Sequence, residues 1–277
     1  MELMFKSIQD AIRFKAFLTA NGLQDSFTER QSQYIYSFQY LLIKKEQYIH
    51  AILQFIQDVK RNEWVDKVLR EKYKYDNEDE RIEIISILNQ MFSGERVELI
   101  SLVGQMDEEE FIQEAVIDLL DYKGAVLFES FMRFRLKKYF DHVREYLNIA
   151  IDEYKMEQDY QMFVNMLRDY LKKRSTKQNV VHVLLDKPIL FFNEKLNEMG
   201  KDEIKDIMDR RLLSNHPVYV DSSVIAPLLS MAPIKIFLYT DEEDQPLIRT
   251  LKNIFEERLS ILPTTHLNTL IKAFTDT

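Results

Sequence analysis

The sequence predicts a predominantly helical α+β protein, with a helical bundle over residues 1–175 and a small mixed α/β unit over residues 176–277. Two observations predict this fold class. In the first part, apolar side chains recur at intervals of three and four residues, which is the spacing of an amphipathic helix. From residue 180 onwards, short β-branched runs alternate with helical stretches, which is the order of a small sheet covered by helices.

The bundle is predicted to begin with a short strand and a capped helix. Residues 2–5 form the predicted strand. Ser7 and Asp10 then have the spacing of a capping box, with Asp in place of the usual Glu. Asn21 and Gly22 supply the left-handed conformation that ends a helix.

The rest of the bundle is predicted to be helical. Apolar residues over positions 27–69 follow the helical period and predict one long helix with a break near Asn62. The charge-dense residues 72–81 are expected to form a loop or a solvated helix start before an apolar helix face. Further helices are predicted from the acids at 107–110 to Gly124, over residues 128–154, and over residues 159–173.

The C-terminal unit is predicted to open with a β-hairpin. Residues 180–185 and 189–192 are its two strands, and residues 186–188 form the turn. The remaining elements are predicted as a helix at 202–213, a strand at 218–220, a helix at 223–231, a strand at 234–240, a helix at 246–258, a strand at 259–262 and a terminal helix at 267–274.

Composition excludes several classes of chemistry. The chain has no cysteine, so disulfides, thiolate nucleophiles and Cys-type metal sites are excluded. Its five glycines are never closer than ten positions, so the sequence contains no glycine-rich phosphate-binding loop. We therefore predict no bound cofactor. A formal charge of −9 disfavours nucleic acid as a partner, because affinity for phosphates comes from Lys and Arg.

Metal binding and membrane insertion are also not predicted. The five histidines lie at least 34 residues apart, so no metal-ligand pair of the HExxH type exists. The N-terminus lacks the continuous apolar stretch of a signal peptide, and no apolar run reaches 18 residues. We therefore expect a soluble, cytoplasmic protein without a membrane span, whose oligomeric state the sequence does not define.

A basic run is the most suggestive local chemistry in this acidic chain. At 100° per residue, one side of the predicted helix carries Arg133, Lys137 and Arg144, and another carries Arg135, Lys138 and His142. These groups form a candidate binding surface for an anion or an acidic partner. The alternative is that they pair with the acids of the bundle itself, such as Asp141, Glu145, Asp152 and Glu153.

A second candidate anion site is the predicted helix start at Ser222 and Ser223. The free N–H groups of a helix N-terminus can bind an anion, although Asp221 would oppose it. The two serines also resemble a nucleophile position, because they follow a strand and precede a helix. Without flanking glycines that turn is unsupported, and N-capping is the simpler interpretation.

Three stretches carry a resemblance to a known family. They are residues 131–139 (FMRFRLKKY), residues 150–170 (AIDEYKMEQDYQMFVNMLRDY) and residues 221–240 (DSSVIAPLLSMAPIKIFLYT), the last continuing through 250–259 (TLKNIFEERL). They resemble the YtxC-like family of sporulation proteins of endospore-forming Firmicutes, whose biochemistry is mostly uncharacterised. Pro227 departs from the pattern, because it falls within a predicted helix and fits only near the first turn. The resemblance implies a role in spore formation and a cytoplasmic protein, and it implies no reaction.

These observations lead to one functional hypothesis and one alternative. The hypothesis is a non-enzymatic sporulation-associated protein that acts through contacts with an unknown protein partner. The alternative is an enzyme or ligand sensor that binds a small anionic ligand between the bundle and the α/β unit. It would use Arg135 or Lys138 together with the helix start at Ser222 and Ser223.

Overall fold

The computed structural model describes residues 1–23, 26–30, 33–38, 41–105, 107–209 and 223–275. They form two compact units, Met1–Met156 and Glu157–Thr277. The predicted fold class is confirmed, because helices predominate and the described residues contain two four-stranded sheets. The domain boundary between residues 175 and 176 stays a prediction.

The sheet of the first unit has the strand order β2-β3-β1-β4. Its central strands β1 (Glu2–Phe5) and β3 (Gln33–Ser37) are antiparallel. β3 also pairs antiparallel with β2 (Ser26–Arg30), and β1 pairs parallel with the short edge strand β4 (Ala125–Leu127).

This sheet corrects the sequence prediction, which gave a helix from residue 27 and a single strand in this region. Phe27, Ile35 and Phe38 fit a helical period by spacing alone. Their neighbours, however, include Thr28, Tyr34 and Tyr36, which are residue types that favour strands. Pairing with β1, whose Leu3 and Phe5 are fully buried, selects the hairpin over the helix.

Three helices of the first unit begin at a residue whose side chain caps the helix. The side chains of Ser7, Asn77 and Asp107 accept hydrogen bonds from the backbone N–H groups of Asp10, Asp79 and Glu110. The helices are α1 (Ile8–Ala20), α2 (Leu41–Phe55), a π-helix (Ile56–Lys60), α3 (Arg61–Glu71), α4 (Glu78–Phe92), α5 (Val97–Val103), α6 (Glu108–Asp121), α7 (Phe128–Phe134) and α8 (Lys137–Lys172), of which α8 belongs to this unit only up to Met156.

Two helix boundaries differ from the prediction. The predicted helix over residues 128–154 is interrupted at Arg135 and Leu136, where the N–H of Leu136 bonds to the carbonyl of Phe131 at 3.4 Å, one residue further back than in an α-helix. Conversely, α8 continues through residues 155–158, where the prediction had a gap. Those four residues, KMEQ, are all good helix formers.

A cluster of phenylalanines fills the core beneath α7. Phe5, Phe14, Phe55 and Phe128 are fully buried, and successive ring centroids lie 5.0–5.7 Å apart. Phe128 is the first residue of α7, so this cluster anchors the start of that helix.

A buried ion pair joins α3 to α6. The guanidinium of Arg61 donates to both carboxylate oxygens of Glu108, at 2.6 and 2.8 Å, and to Asn89 at 3.1 Å. The hydroxyl of Tyr139 donates to the same carboxylate at 2.5 Å. Burial, reinforced by the adjacent Glu108 charge, raises the pKa of Tyr139 far above its ordinary value, so this hydroxyl stays protonated.

The second unit contains the predicted hairpin and a parallel extension. Its strands are β5 (Val180–Leu184), β6 (Leu190–Phe192), β7 (Lys235–Tyr239) and β8 (Leu259–Leu262), in the order β6-β5-β7-β8. β6 is antiparallel to β5, whereas β5, β7 and β8 are mutually parallel. The predicted strand at 218–220 lies outside the described residues.

The helices of this unit are α9 (Lys201–Ile207), α10 (Ile225–Met231), α11 (Pro246–Phe255) and α12 (Thr264–Thr275), with a 3-10 turn at Glu256–Arg258. Pro227 lies in the first turn of α10, as its tolerance requires, since an N–H there has no partner within the helix. In the sheet, His182 is largely buried, and its Nδ1 lies 2.8 Å from the hydroxyl of Tyr239.

Candidate functional site

The first unit carries a cleft of about 690 Å³ formed by α1, the π-helix, α3, α7 and α8. This volume lies within the range of small-molecule and peptide pockets, roughly 300–1,000 Å³. Its lining comprises five apolar side chains (Trp64, Phe128, Met132, Phe134 and Phe140), five basic ones (Lys60, Lys67, Arg133, Lys137 and Arg144) and four acidic ones (Asp10, Glu63, Glu129 and Asp141).

The apolar part of the cleft is mainly aromatic. Trp64 on α3 packs against Phe140 on α8, with ring centroids 4.8 Å apart and a 36° angle between the rings. Phe128 closes the inner end, where it belongs to the core. Phe134 at the end of α7 is 68% exposed. Its exposed ring is apolar surface within the cleft that is available to another molecule.

A basic edge runs along α7 and α8, and two of its members share one acid. Lys137 donates to Asp141 at 2.8 Å, and Arg144 donates to the other oxygen of Asp141 at 3.0 Å. These bonds, that from Lys137 first, lower the pKa of the Asp141 carboxyl. Arg144 also lies 5.4 Å from the Trp64 ring centroid. Two cations facing one carboxylate leave an excess positive charge at the edge.

Arg133 is the third member of the basic edge, and it differs from Lys137 and Arg144 in having no carboxylate partner among the described residues. Within the part of the chain that the structure describes, no carboxylate oxygen lies within 4.0 Å of its guanidinium. The guanidinium instead lies 5.4 Å from the ring centroid of Phe134. Arg133 is therefore an exposed cation set against an exposed aromatic ring.

On the opposite wall of the cleft, Asp10 and Glu63 are neutralised by ion pairs with neighbouring cations. Lys60 donates to Asp10 at 2.9 Å and also binds Glu63, and Arg13 forms a second ion pair with Glu63. Only 13% and 14% of the Lys60 and Asp10 side chains are exposed. These acids and bases satisfy one another, so the excess charge of the cleft lies at the basic edge.

Glu129 is the exception among the acids of the cleft. Its Oε1 accepts the backbone N–H of Lys6 at 2.9 Å. Its Oε2 is buried and has no hydrogen-bond donor among the described residues. Buried acceptors nearly always have a partner, so this oxygen marks an unfilled position in the lining.

The other predicted site residues lie elsewhere. Arg135 lines a second cavity of about 380 Å³ beside β4, with Tyr122 and with Phe134, which lines both cavities. Lys138 is exposed and does not line the cleft. Ser223 is an exposed turn residue of the second unit, and Ser222 lies outside the described residues.

Arg133, Lys137 and Arg144, which the helical period places together, all line the cleft, whereas Arg135 lines the second cavity without Lys138 or His142. Among the described residues, the alternative of internal pairing applies to Lys137 and Arg144 through Asp141 and to His142 through Glu145, and not to Arg133. Sequence reasoning missed Glu129 and Phe134. Glu129 could have been found from the sequence, because it lies four residues before Arg133 and therefore on the same helix face.

Among the described residues, no three His, Asp or Glu side chains are grouped so that they could hold a metal ion. Each described helix is too short or too polar to cross a bilayer.

Fold and cleft together define a predominantly helical α+β protein with an aromatic cleft and a basic edge in its first unit. The model of the YtxC-like family matches residues 46–260, and the chain belongs to this family. It is 32% identical over 225 residues to the "Uncharacterized protein YtxC" of Bacillus subtilis (strain 168), covering 81% of this chain and 77% of that relative. No solved structure matches the chain. Every lining residue of the cleft except Asp10 falls within the family match.

Proposed function

We propose that the chain is a cytoplasmic protein of spore formation that acts through protein contacts, and that the cleft is its contact surface. The observation that carries the proposal is Arg133, an exposed cation without a carboxylate partner among the described residues, beside the exposed ring of Phe134. Membership of the YtxC-like family supports the assignment to spore formation through the resemblance that the sequence shows.

The chemistry of the cleft favours a partner segment that combines acidic and apolar side chains. Arginine and aromatic residues are enriched at the energetic centres of protein interfaces. Lys137 and Arg144 lie seven residues apart on α8, which is about two turns or roughly 10 Å along the helix. A helical partner lying along α8 would place carboxylates on such a row while its apolar side chains contact Trp64 and Phe134.

The lining favours binding over catalysis. The described residues that line the cleft include no serine, threonine or histidine. Three of its four acids are occupied by ion pairs, and Glu129 is held by a backbone N–H. A small anionic ligand is the alternative occupant, because the free guanidinium of Arg133 suits a phosphate or a carboxylate equally well.

Proximity labelling in sporulating cells tests the proposal. The fused wild-type chain is compared with Arg133→Glu/Lys137→Glu and with the matched control Lys138→Glu, which changes a neighbouring charge outside the cleft. We expect a reproducible set of labelled proteins that the double variant loses and the control keeps. An unchanged set in the double variant contradicts the proposal.

A titration of the purified chain with inorganic phosphate separates the two occupants. Trp64 is the one tryptophan of the chain and lines the cleft, so its fluorescence reports occupancy directly. We expect no saturable change with phosphate below millimolar concentrations. A saturable change that Arg133→Glu abolishes would favour the small anionic ligand.

A further inference from the structure

Two opposite charges on α7 lie one turn apart and do not pair. Glu129 and Arg133 are at positions i and i+4 of the same short helix, and both line the cleft. A glutamate four residues before a cation usually forms a helix-stabilising pair. Here no carboxylate oxygen of the described residues, Glu129 included, lies within 4.0 Å of the Arg133 guanidinium.

Each of the two groups is held by something else. The backbone N–H of Lys6, just before α1, fixes one oxygen of Glu129 at 2.9 Å. The ring of Phe134 holds the guanidinium of Arg133 at 5.4 Å. The two attachments keep the charges apart, so the helix presents an acid and a base separately to the cleft.

Each group also retains bonding capacity. The Oε2 of Glu129 is closed to water and has no donor among the residues that the structure describes. Glu129 lines the cleft, and the terminal torsion of a glutamate is soft, so its carboxylate is free to adjust to a donor that enters there. The guanidinium of Arg133 has five N–H donors and no carboxylate in reach within the described ranges.

We propose that Glu129 and Arg133 select a partner segment that presents a cationic side chain and a carboxylate one helical turn apart, next to an apolar side chain. The cation of the partner fills the missing donor of Glu129, its carboxylate pairs with Arg133, and its apolar group contacts Phe134. This inference rests on the proposed function. The basic edge alone predicts an acidic partner segment, and Glu129 adds the requirement that this segment also carries a basic side chain.

Synthetic helical peptides of about 14 residues, free of tryptophan, serve as the probe. Two peptides carry Lys and Glu four residues apart beside leucines, one in each order. For each order, a further peptide replaces the Lys by Gln, and another replaces the Glu by Gln. Binding is measured by Trp64 fluorescence on the full chain. We expect the better of the two Lys/Glu peptides to bind about tenfold or more tightly than either Gln version.

Two variants assign each preference to its residue. With Glu129→Gln, the preference for Lys over Gln is expected to disappear while the preference for Glu remains, and Arg133→Gln is expected to do the reverse. Glu114→Gln, the same change at an exposed position of α6 outside the cleft, is the matched control. Since Glu129→Gln removes the negative charge of this partly buried side chain and keeps an oxygen that accepts from the N–H of Lys6, it should unfold at no lower urea concentration than the wild type, which separates binding from folding.

The outcomes distinguish this inference from the proposed function. Equal binding of the Lys and Gln peptides to the wild type, or a preference for Lys that survives Glu129→Gln, overturns the selection by Glu129 and leaves an acidic partner in place. Failure of every peptide to bind also overturns it. Failure of the proposed function itself is an unchanged set of labelled proteins in the Arg133→Glu/Lys137→Glu cells.

Discussion

Replacing Arg61 by leucine would leave the Glu108 carboxylate inside the first unit without its counter-charge. Three hydrogen bonds are lost together, two to Glu108 at 2.6 and 2.8 Å and one to Asn89 at 3.1 Å. Only 9% of the Arg61 side chain and 13% of the Glu108 side chain are exposed. Breaking a pair buried to this degree costs about 3–5 kcal/mol, because the remaining charge stays desolvated. We expect Arg61→Leu to lower the free energy of unfolding by that amount.

Urea unfolding followed by Trp64 fluorescence measures this loss, since Trp64 lies on the same helix as Arg61. The double variant Arg61→Leu/Glu108→Leu removes both charges and is expected to be more stable than the single variant. Arg70→Leu breaks an exposed ion pair with Asp66 on the same helix and should cost no more than about 1 kcal/mol. The reasoning would be refuted if Arg61→Leu cost only about 1 kcal/mol or less, or if the double variant were less stable than the single one.

Two further predictions concern the cores of the two units. Burial lowers the pKa of His182 below its model-peptide value of 6.5, so on acidification the unfolded chain takes up a proton before the folded one does. The second unit should therefore lose stability as the pH falls below 6.5, measured as lower amide protection factors in β5 and β7 once the intrinsic exchange rate at each pH is divided out, and His182→Gln should remove that dependence. On α7, Phe128→Ala should lower the free energy of unfolding of the first unit by about 3–5 kcal/mol, because Phe128 is fully buried. Phe134→Ala on the same helix should change it by less than about 0.5 kcal/mol, and similar losses for both would contradict the assigned burial.

The sequence predicted the second unit better than the first for a physical reason. The hairpin at 180–192 and the later strands β7 and β8 are short apolar runs flanked by turn residues, so local signals suffice. The hairpin of β2 and β3 carries apolar spacings that satisfy a helix as well. Its conformation is decided by β1, some 30 residues earlier in the chain, and a local pattern does not contain that contact.

The features of the cleft also divide into those that the local sequence predicts and those that depend on the tertiary fold. Lys137 and Arg144 both lie on α8, so the helical period alone places them on one face, whereas Arg133 lies on α7 and lines the same cleft from the other side of the interruption at Arg135 and Leu136. The exposure of Phe134 agrees with the helical period, because two residues, or about 200° of rotation, separate it from Met132 on the apolar stripe. The interruption of the helix at Arg135 and Leu136 has no such local signal, since neither glycine nor proline occurs there. The unpartnered oxygen of Glu129 depends on where the backbone of Lys6 lies, which follows from the tertiary fold.

Phe134 stands between two cavities and lines both, the cleft of about 690 Å³ and the smaller cavity of about 380 Å³ beside β4. One ring cannot lie on both sides at once, so a rotamer that widens one cavity narrows the other. Anything bound in the cleft that fixes this ring thereby changes the room available next to Arg135. By linkage, an occupant beside Arg135 that moves this ring would alter affinity at the cleft by the same factor as an occupant of the cleft alters affinity beside Arg135.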